Sequence, residues 1–247
     1  MRNKFLELFP ARKPIIGMIH LASSGEIPAA EQAQAELDIY EACGVDGAII
    51  ENFFGLEEDV LRVLQDCTKY QRNIILGVNV LPNEFQFSIP WASGYGARFV
   101  QLDYVAGRYL GNKELDIEAY LDVCEQHPGI TVLGGVWPKH YTPIGSDLSA
   151  DLFDGAARAD AVVVTGSGTG QETPARKIKA FRKILDEHDK GYPLVVGAGV
   201  TAENAREQLG LCDGAIIGTY FRAGDVRKNV EKENVERIMN IARELRR

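Results

Sequence analysis

Three apolar runs of this chain each break into polarity at a residue that can move a proton: His20 ends 14–20, Glu51 ends 46–51 and Asp103 ends 97–103. Two carboxylates and an imidazole brought to one pocket could act as general acid and base. Alternatively, Glu51 and Asp103 could hold a divalent metal. A carboxylate buried without a partner costs several kcal/mol, so a run that ends in one implies a side chain facing a site. The bland alternative is a hydrogen-bonded rim residue that only orders loops. Asn52 directly follows Glu51, and Asn79 and Thr165 stand in comparable positions at the ends of the third and sixth runs. Beyond the fifth run, Pro138-Lys139-His140-Tyr141 supplies a lysine that could form a Schiff base or bind an anion, in a setting that predicts an exposed side chain.

Two glycine-ended runs offer a different chemistry. Val195-Val196-Gly197-Ala198-Gly199-Val200-Thr201 and Ile216-Ile217-Gly218-Thr219-Tyr220-Phe221 both place glycine where a strand would hand over to a helix. Glycine lets the backbone approach an anion closely, and amides at a helix N-terminus turn partial positive charge toward it. Gly197, Gly199, Gly218 and Thr219 are therefore the predicted phosphate grip. A third glycine-rich stretch, 165–173, includes Thr165 and Gly166 and could cradle an anion, act as a lid or serve as a flexible turn. It lacks the Gly-Lys-Ser/Thr ending of a P-loop, so NTP hydrolysis has no support.

These residues need elements to position them. Eight runs, 14–20, 46–51, 73–80, 97–103, 130–136, 159–165, 193–199 and 213–219, are apolar nearly throughout, as expected of parallel strands buried on both faces. Helical signals lie between them. Stretch 29–42 stops at a glycine cap, Gly44, and 56–70 sets Leu56, Val60, Val63, Leu64 and Cys67 on one face. Further helices are predicted over 116–126, over 147–158 with Ser146 as cap, from a Thr173 cap with Pro174 in first position to about 189, and over 202–209 capped by Thr201. Strand followed by helix, repeated along the whole chain, predicts a single (β/α)8 TIM barrel with a short extra N-terminal helix at 2–9 over the bottom. A doubly wound open sheet is the alternative, but no GxGxxG follows the first run.

In a barrel, functional residues gather at the C-terminal strand ends, which puts every candidate on one rim. Ile16, Met18 and His20 share one face of their strand, as do Phe99, Gln101 and Asp103, and either set could line the barrel. Gly77, Gly134, Gly197 and Gly218 fall at similar depth, where they could leave room for a ligand or simply fit crowded packing.

Composition excludes more than it selects. The 247 residues carry a formal charge of -8, with no basic stretch able to neutralise several phosphates, so no nucleic-acid partner is expected. No apolar run approaches the roughly 20 residues that cross a bilayer, and the N-terminus has no signal-peptide core. A cytoplasmic protein without membrane insertion is predicted, with homo-oligomerisation open. Cys43, Cys67, Cys124 and Cys212 are widely spaced and read as reduced thiols.

Taken together, Pro14-Ile15-Ile16-Gly17-Met18-Ile19-His20-Leu21, Asp46-Gly47-Ala48-Ile49-Ile50-Glu51-Asn52, Val164-Thr165-Gly166 with Thr169-Gly170, and Asp213-Gly214-Ala215-Ile216-Ile217-Gly218-Thr219 resemble the BtpA/SgcQ family over nearly the whole chain. The resemblance implies a TIM barrel similar to the ribulose-phosphate-binding group. It carries over His20, Glu51, Asn52, Thr165, Gly166, Gly199, Gly218 and Thr219 as motif positions. It also links some members to photosystem I biogenesis and others to sugar uptake and metabolism, without defining a reaction. The chain departs from the family pattern at 22–28 and again at 229–231. The favoured expectation is an enzyme, an isomerase, lyase or transferase, acting on a phosphorylated sugar or related small phosphometabolite. The cofactor is open: a divalent metal is one option, and FMN in the same grip is a lesser one. The competing expectation is a non-catalytic barrel that works through a protein partner.

Overall fold

Strands apolar on both sides need cover on both sides, and a ring of parallel strands wrapped by helices supplies it. The computed structural model describes residues 3–22, 28–145 and 147–247. In it, β1 (Ile15–Ala22), β2 (Gly47–Phe54), β3 (Ile75–Asn79), β4 (Phe99–Leu102), β5 (Thr131–Gly135), β6 (Ala161–Val164), β7 (Leu194–Val196) and β8 (Gly214–Ile217) form a closed barrel in sequence order. Each neighbouring pair is parallel, and β8 closes on β1 through Ile15 beside Ala215 and Gly17 beside Ile217. The open-sheet alternative is thereby excluded.

The strands are joined by α2 (Ala29–Cys43), α3 (Glu57–Cys67), α4 (Phe85–Gly94), α5 (Ile117–Gln126), α6 (Leu148–Arg158), α7 (Ala175–His188) and α8 (Ala205–Leu211), with α1 (Lys4–Leu8) before the barrel and α9 (Lys232–Leu245) after it. The inner core consists of Ile16, Met18, Ile49, Phe99, Leu133, Ala161, Val163, Val195 and Ile216, plugged from below by Phe5 and Phe9. Both predicted inward faces, the one carrying Met18 and the one carrying Phe99, point into this core. A larger apolar shell fills the space between strands and helices.

Several local expectations are corrected. Leu56 is exposed and precedes α3, which is capped by Asp59 accepting from the Leu56 N–H, whereas Val60, Val63, Leu64 and Cys67 are buried as predicted. Thr173 is not the cap of α7: it is buried, and its hydroxyl donates to the Ala198 carbonyl, leaving Pro174 at the cap position. Residues 202–204 form turns, so α8 starts at Ala205 after Asn204, not at a Thr201 cap. Asp147 caps α6 by accepting from Ser149 and Ala150 N–H groups. The predicted cap Ser146, the start of the 2–9 helix and most of the 22–28 departure lie outside the described residues. Helix α4, unpredicted because Pro90 interrupts a polar-poor stretch, carries that proline inside it.

Strand ends are corrected too, with consequences for the site. The ladder of β7 stops at Val196 and that of β8 at Ile217, so Gly197, Gly199, Gly218 and Thr219 are loop residues. Gly77 faces inward, where a Cβ would collide with the Phe99 ring, and Gly134 faces outward onto Val105. These two glycines serve packing; Gly197 and Gly218 line the cavity, although a Cβ on either would meet Val163 or His20.

Candidate active site

Parity along each strand decides what reaches the mouth of the barrel. Two residues above the inner core on β1 stands His20, above Ile49 on β2 stands Glu51, and above Phe99 come Gln101 and then Asp103. Register brings His20 beside Glu51 and Glu51 beside Asn79. These side chains line or underlie a cavity of about 650 Å³ that also takes in Gly197, Gly199, Thr165, Gly218 and Thr219.

Glu51 is the centre of the cluster. One carboxyl oxygen accepts from the Asn79 amide at 2.8 Å, and the other lies 3.4 Å from His20 Nε2. Burial raises its pKa to about 7; Lys139 opposes that rise, and Asp103 adds to it. Burial also holds His20 well below the ordinary imidazole value, helped by the positive charges of Arg222 and Lys139, so the ring is neutral at physiological pH. His20 Nδ1 is buried without a partner among the described residues. Asp103 is raised by burial, against hydrogen bonds from Tyr141 and Asn79. The Tyr141 hydroxyl donates to its Oδ2 at 2.6 Å.

The loop after β5 delivers Tyr141 and Lys139. Trp137 and His140 adopt left-handed backbone, φ 49° and 67°, which a bulky side chain holds only when its surroundings insist. For Trp137 they do: its indole donates to Asp151, its N–H donates to the Tyr109 hydroxyl, and its carbonyl accepts from Lys177. Lys139 lies half-buried on the cavity wall, a correction to the expected exposed lysine, and its N–H donates to the Thr165 hydroxyl at 2.6 Å.

The glycine loops meet beyond the β6 loop, which adjoins the β5 loop through Thr165. Gly199 has φ +68°, and a Cβ there would strike the backbone of Gln171 and Glu172, so the β6 loop seats directly on the β7 loop. The Ala198 and Gly199 carbonyls accept from Thr173 and Asn204 side chains, which occupies acceptors that would repel an anion. A Cβ on Gly218 would lie 2.8 Å from His20 Cε1, so the β8 loop touches the acid/base cluster. Thr219 then leads into a short 3-10 turn, Tyr220–Arg222.

The remaining candidates are placed differently. Asn52 does not line the cavity; its side chain pairs with both backbone groups of Leu81, tying the β2 loop to the β3 loop. Asn79 acts through Glu51 and is itself fully buried. Gly166 lies outside the lining, packed under Glu172 and Gln171 carbonyls. The option of Glu51 and Asp103 as metal ligands finds no third partner: no group of three or more His, Cys, Asp or Glu side chains suited to a metal gathers among the described residues. Phe53 and Tyr141 were missed by sequence reasoning. Phe53 was within reach, because it follows Ile49 and Glu51 at the same parity, whereas nothing in the sequence aims Tyr141 at Asp103.

The comparisons fit this frame. The sequence model of the BtpA family matches residues 11–244. An uncharacterized protein of Archaeoglobus fulgidus is 28% identical, covering 94% of this chain and 99% of its own. The photosystem I biogenesis protein BtpA of Synechocystis is 25% identical, covering 91% and 86%. Among solved structures, the native KDPGal structure aligns with a TM-score of 0.62 at 17% identity, covering 94% of this chain and 95% of that one. Phosphoribosyl anthranilate isomerase from Thermococcus kodakaraensis aligns at 0.59 and 15%, covering 94% and 99%. At such identities these two structures bear on the fold alone.

Proposed function

The chain belongs to the BtpA family, and we propose that within it this barrel is an enzyme acting on a phosphorylated sugar or a related small phosphometabolite. The observation that carries this reading is the contact between Gly218 and His20, which sets the glycine loops and the proton-moving cluster one side chain apart in a single cavity. Loops after the seventh and eighth strands are where barrels of this kind often bind phosphate. In this reading Gly199, Gly218 and Thr219 hold the phosphate through backbone groups, with Thr165 and Gly197, whose N–H already donates to the Val164 carbonyl, beside them.

Glu51, titrating near neutrality, takes a proton from a carbon or hydroxyl of the bound substrate. Neutral His20 offers a hydrogen bond to the oxygen on which charge develops, Lys139 balances that charge, and Asp103, held by Tyr141, returns a proton. This division suits isomerisation, aldol-type cleavage or transfer. Isothermal titration with a panel of sugar phosphates tests the reading: binding that inorganic phosphate competes away is expected, and uniformly absent binding would sink it. Flavin addition to the same protein tests the FMN variant, which fails if no flavin is retained.

A second reading draws on the name of the Synechocystis relative: a barrel that acts through a protein partner. It expects Glu51→Gln and Asp103→Asn to leave the phenotype of a deletion strain fully complemented. Loss of complementation with an intact fold favours the enzyme.

A further inference from the structure

The cavity wall between β2 and β5 carries an apolar patch beside its polar groups. Phe53 follows Glu51 on the inward face of β2, and its ring packs 4.6 Å from the His20 imidazole, tilted by 33°. Leu81 and Pro82, beyond β3, and Pro138, beyond β5, continue the surface with carbon. Tyr141 adds an aromatic face whose hydroxyl is already committed to Asp103. Gln101 and Asn112, from β4 and the loop after it, and Lys139 stand on the same arc, so the apolar patch lies beside polar groups that a sugar can use. A sugar's hydroxyls find partners there but not against Phe53, Leu81 and Pro82, where each one left unpaired costs about 1–3 kcal/mol.

Size points the same way. A cavity of about 650 Å³ sits mid-range among sites of roughly 300–1,000 Å³ that enclose drug-sized ligands, more than a phosphate and one sugar ring fill. In a ring of eight strands, β3 and β4 lie opposite β7 and β8. A ligand anchored at the glycine loops lies over His20, which adjoins Gly218 on one side and packs on Phe53 on the other. The rim above is drawn together where Arg227, after β8, lies 5.7 Å over the ring of Phe54, which ends β2.

We propose that the substrate is a phosphate monoester whose sugar carries a planar, apolar ring, seated against Phe53, Leu81 and Tyr141. This rests on the phosphate reading above and adds the chemistry of the distal group. Titration of the full chain with inorganic phosphate, and with glucose 6-phosphate and ribose 5-phosphate each as the free sugar and as its phenyl glycoside, tests it. At least one phenyl glycoside is expected to bind tenfold or more tighter than its parent. Phe53→Ala and Phe53→Leu, both at a half-buried position that spares the core, should bring that ratio close to one, with melting curves reporting the fold. Equal affinity of both pairs, or a gain that survives both Phe53 variants, overturns the distal ring while leaving phosphate binding in place. Absence of binding by every probe, inorganic phosphate included, overturns the phosphate reading and the ring with it.

Discussion

A carboxyl that titrates near 7 is about half ionised at neutral pH, and Glu51 reaches that state because burial outweighs the hydrogen bond from Asn79 and the charge of Lys139. The sign of its effect on stability follows. Between the ordinary 4.5 and about 7 the unfolded chain ionises while the folded one holds its proton, so stability falls as pH rises through that window. Glu51→Gln removes the penalty. Its stability relative to the parent should grow by about 2 kcal/mol between pH 5 and pH 8 in urea denaturation, and a difference flat with pH would refute the burial account. His20 acts on the other limb: its folded value is depressed, so its cost is absent above the ordinary 6.5 and grows as pH falls below it. Both proteins share that cost, so it largely cancels in the comparison. The sequence marked Glu51 and His20 by position, but not their protonation, which depends on neighbours from β3, β4 and the β5 loop.

At the scale of elements, the glycine loops were visible in the sequence while their supports were not. Gly199 has a left-handed backbone and a Cβ direction filled by the β6 loop, so Gly199→Ala adds a φ penalty to a backbone collision. A loss of at least about 2 kcal/mol in denaturant unfolding is expected, together with loss of inorganic phosphate binding in titration. Gly210→Ala is the matched control: it sits inside α8 with open space around its Cβ, and should stabilise by up to about 1 kcal/mol. A harmless Gly199→Ala would remove the case for this loop as a built site. Residue types predicted strand and glycine at 193–199, yet the ladder ends at Val196 because parallel pairing with β6 and β8 runs out there. The predicted caps Thr173 and Thr201 failed for a related reason. Thr173 was drawn into holding the β7 loop, and the backbone between Thr201 and Asn204 turned before coiling.

Across the whole molecule, the seam where the barrel closes is held by a buried ion pair distant in sequence. Arg222, in the turn after β8, donates to both Glu36 carboxyl oxygens on α2 at 2.7 and 2.5 Å, and to the Lys228 carbonyl at 2.7 Å. Burial raises the Glu36 carboxyl while Arg222 and Gln32 lower it, and a permanently charged guanidinium at this distance keeps the pair ionic. Removing one partner strands a charge, so Arg222→Ala and Glu36→Ala should each cost about 3–5 kcal/mol, whereas Arg222→Met with Glu36→Leu should lie much nearer the parent. Chemical denaturation of the four proteins checks this, and single variants costing under about 1 kcal/mol would show that the seam is held by packing alone. Nothing in the sequence pairs residues 36 and 222. What the sequence determined by itself was the periodic order of apolar runs and helices, since burial on both strand faces demands unbroken apolarity, and with it the rim on which polar strand ends must lie. Only the tertiary structure decided which of those ends converge, how far burial moves their protons, and that Phe53 and Tyr141 line the same cavity as the glycine loops. Those properties arise from distances between strands, and closing the barrel is what sets them.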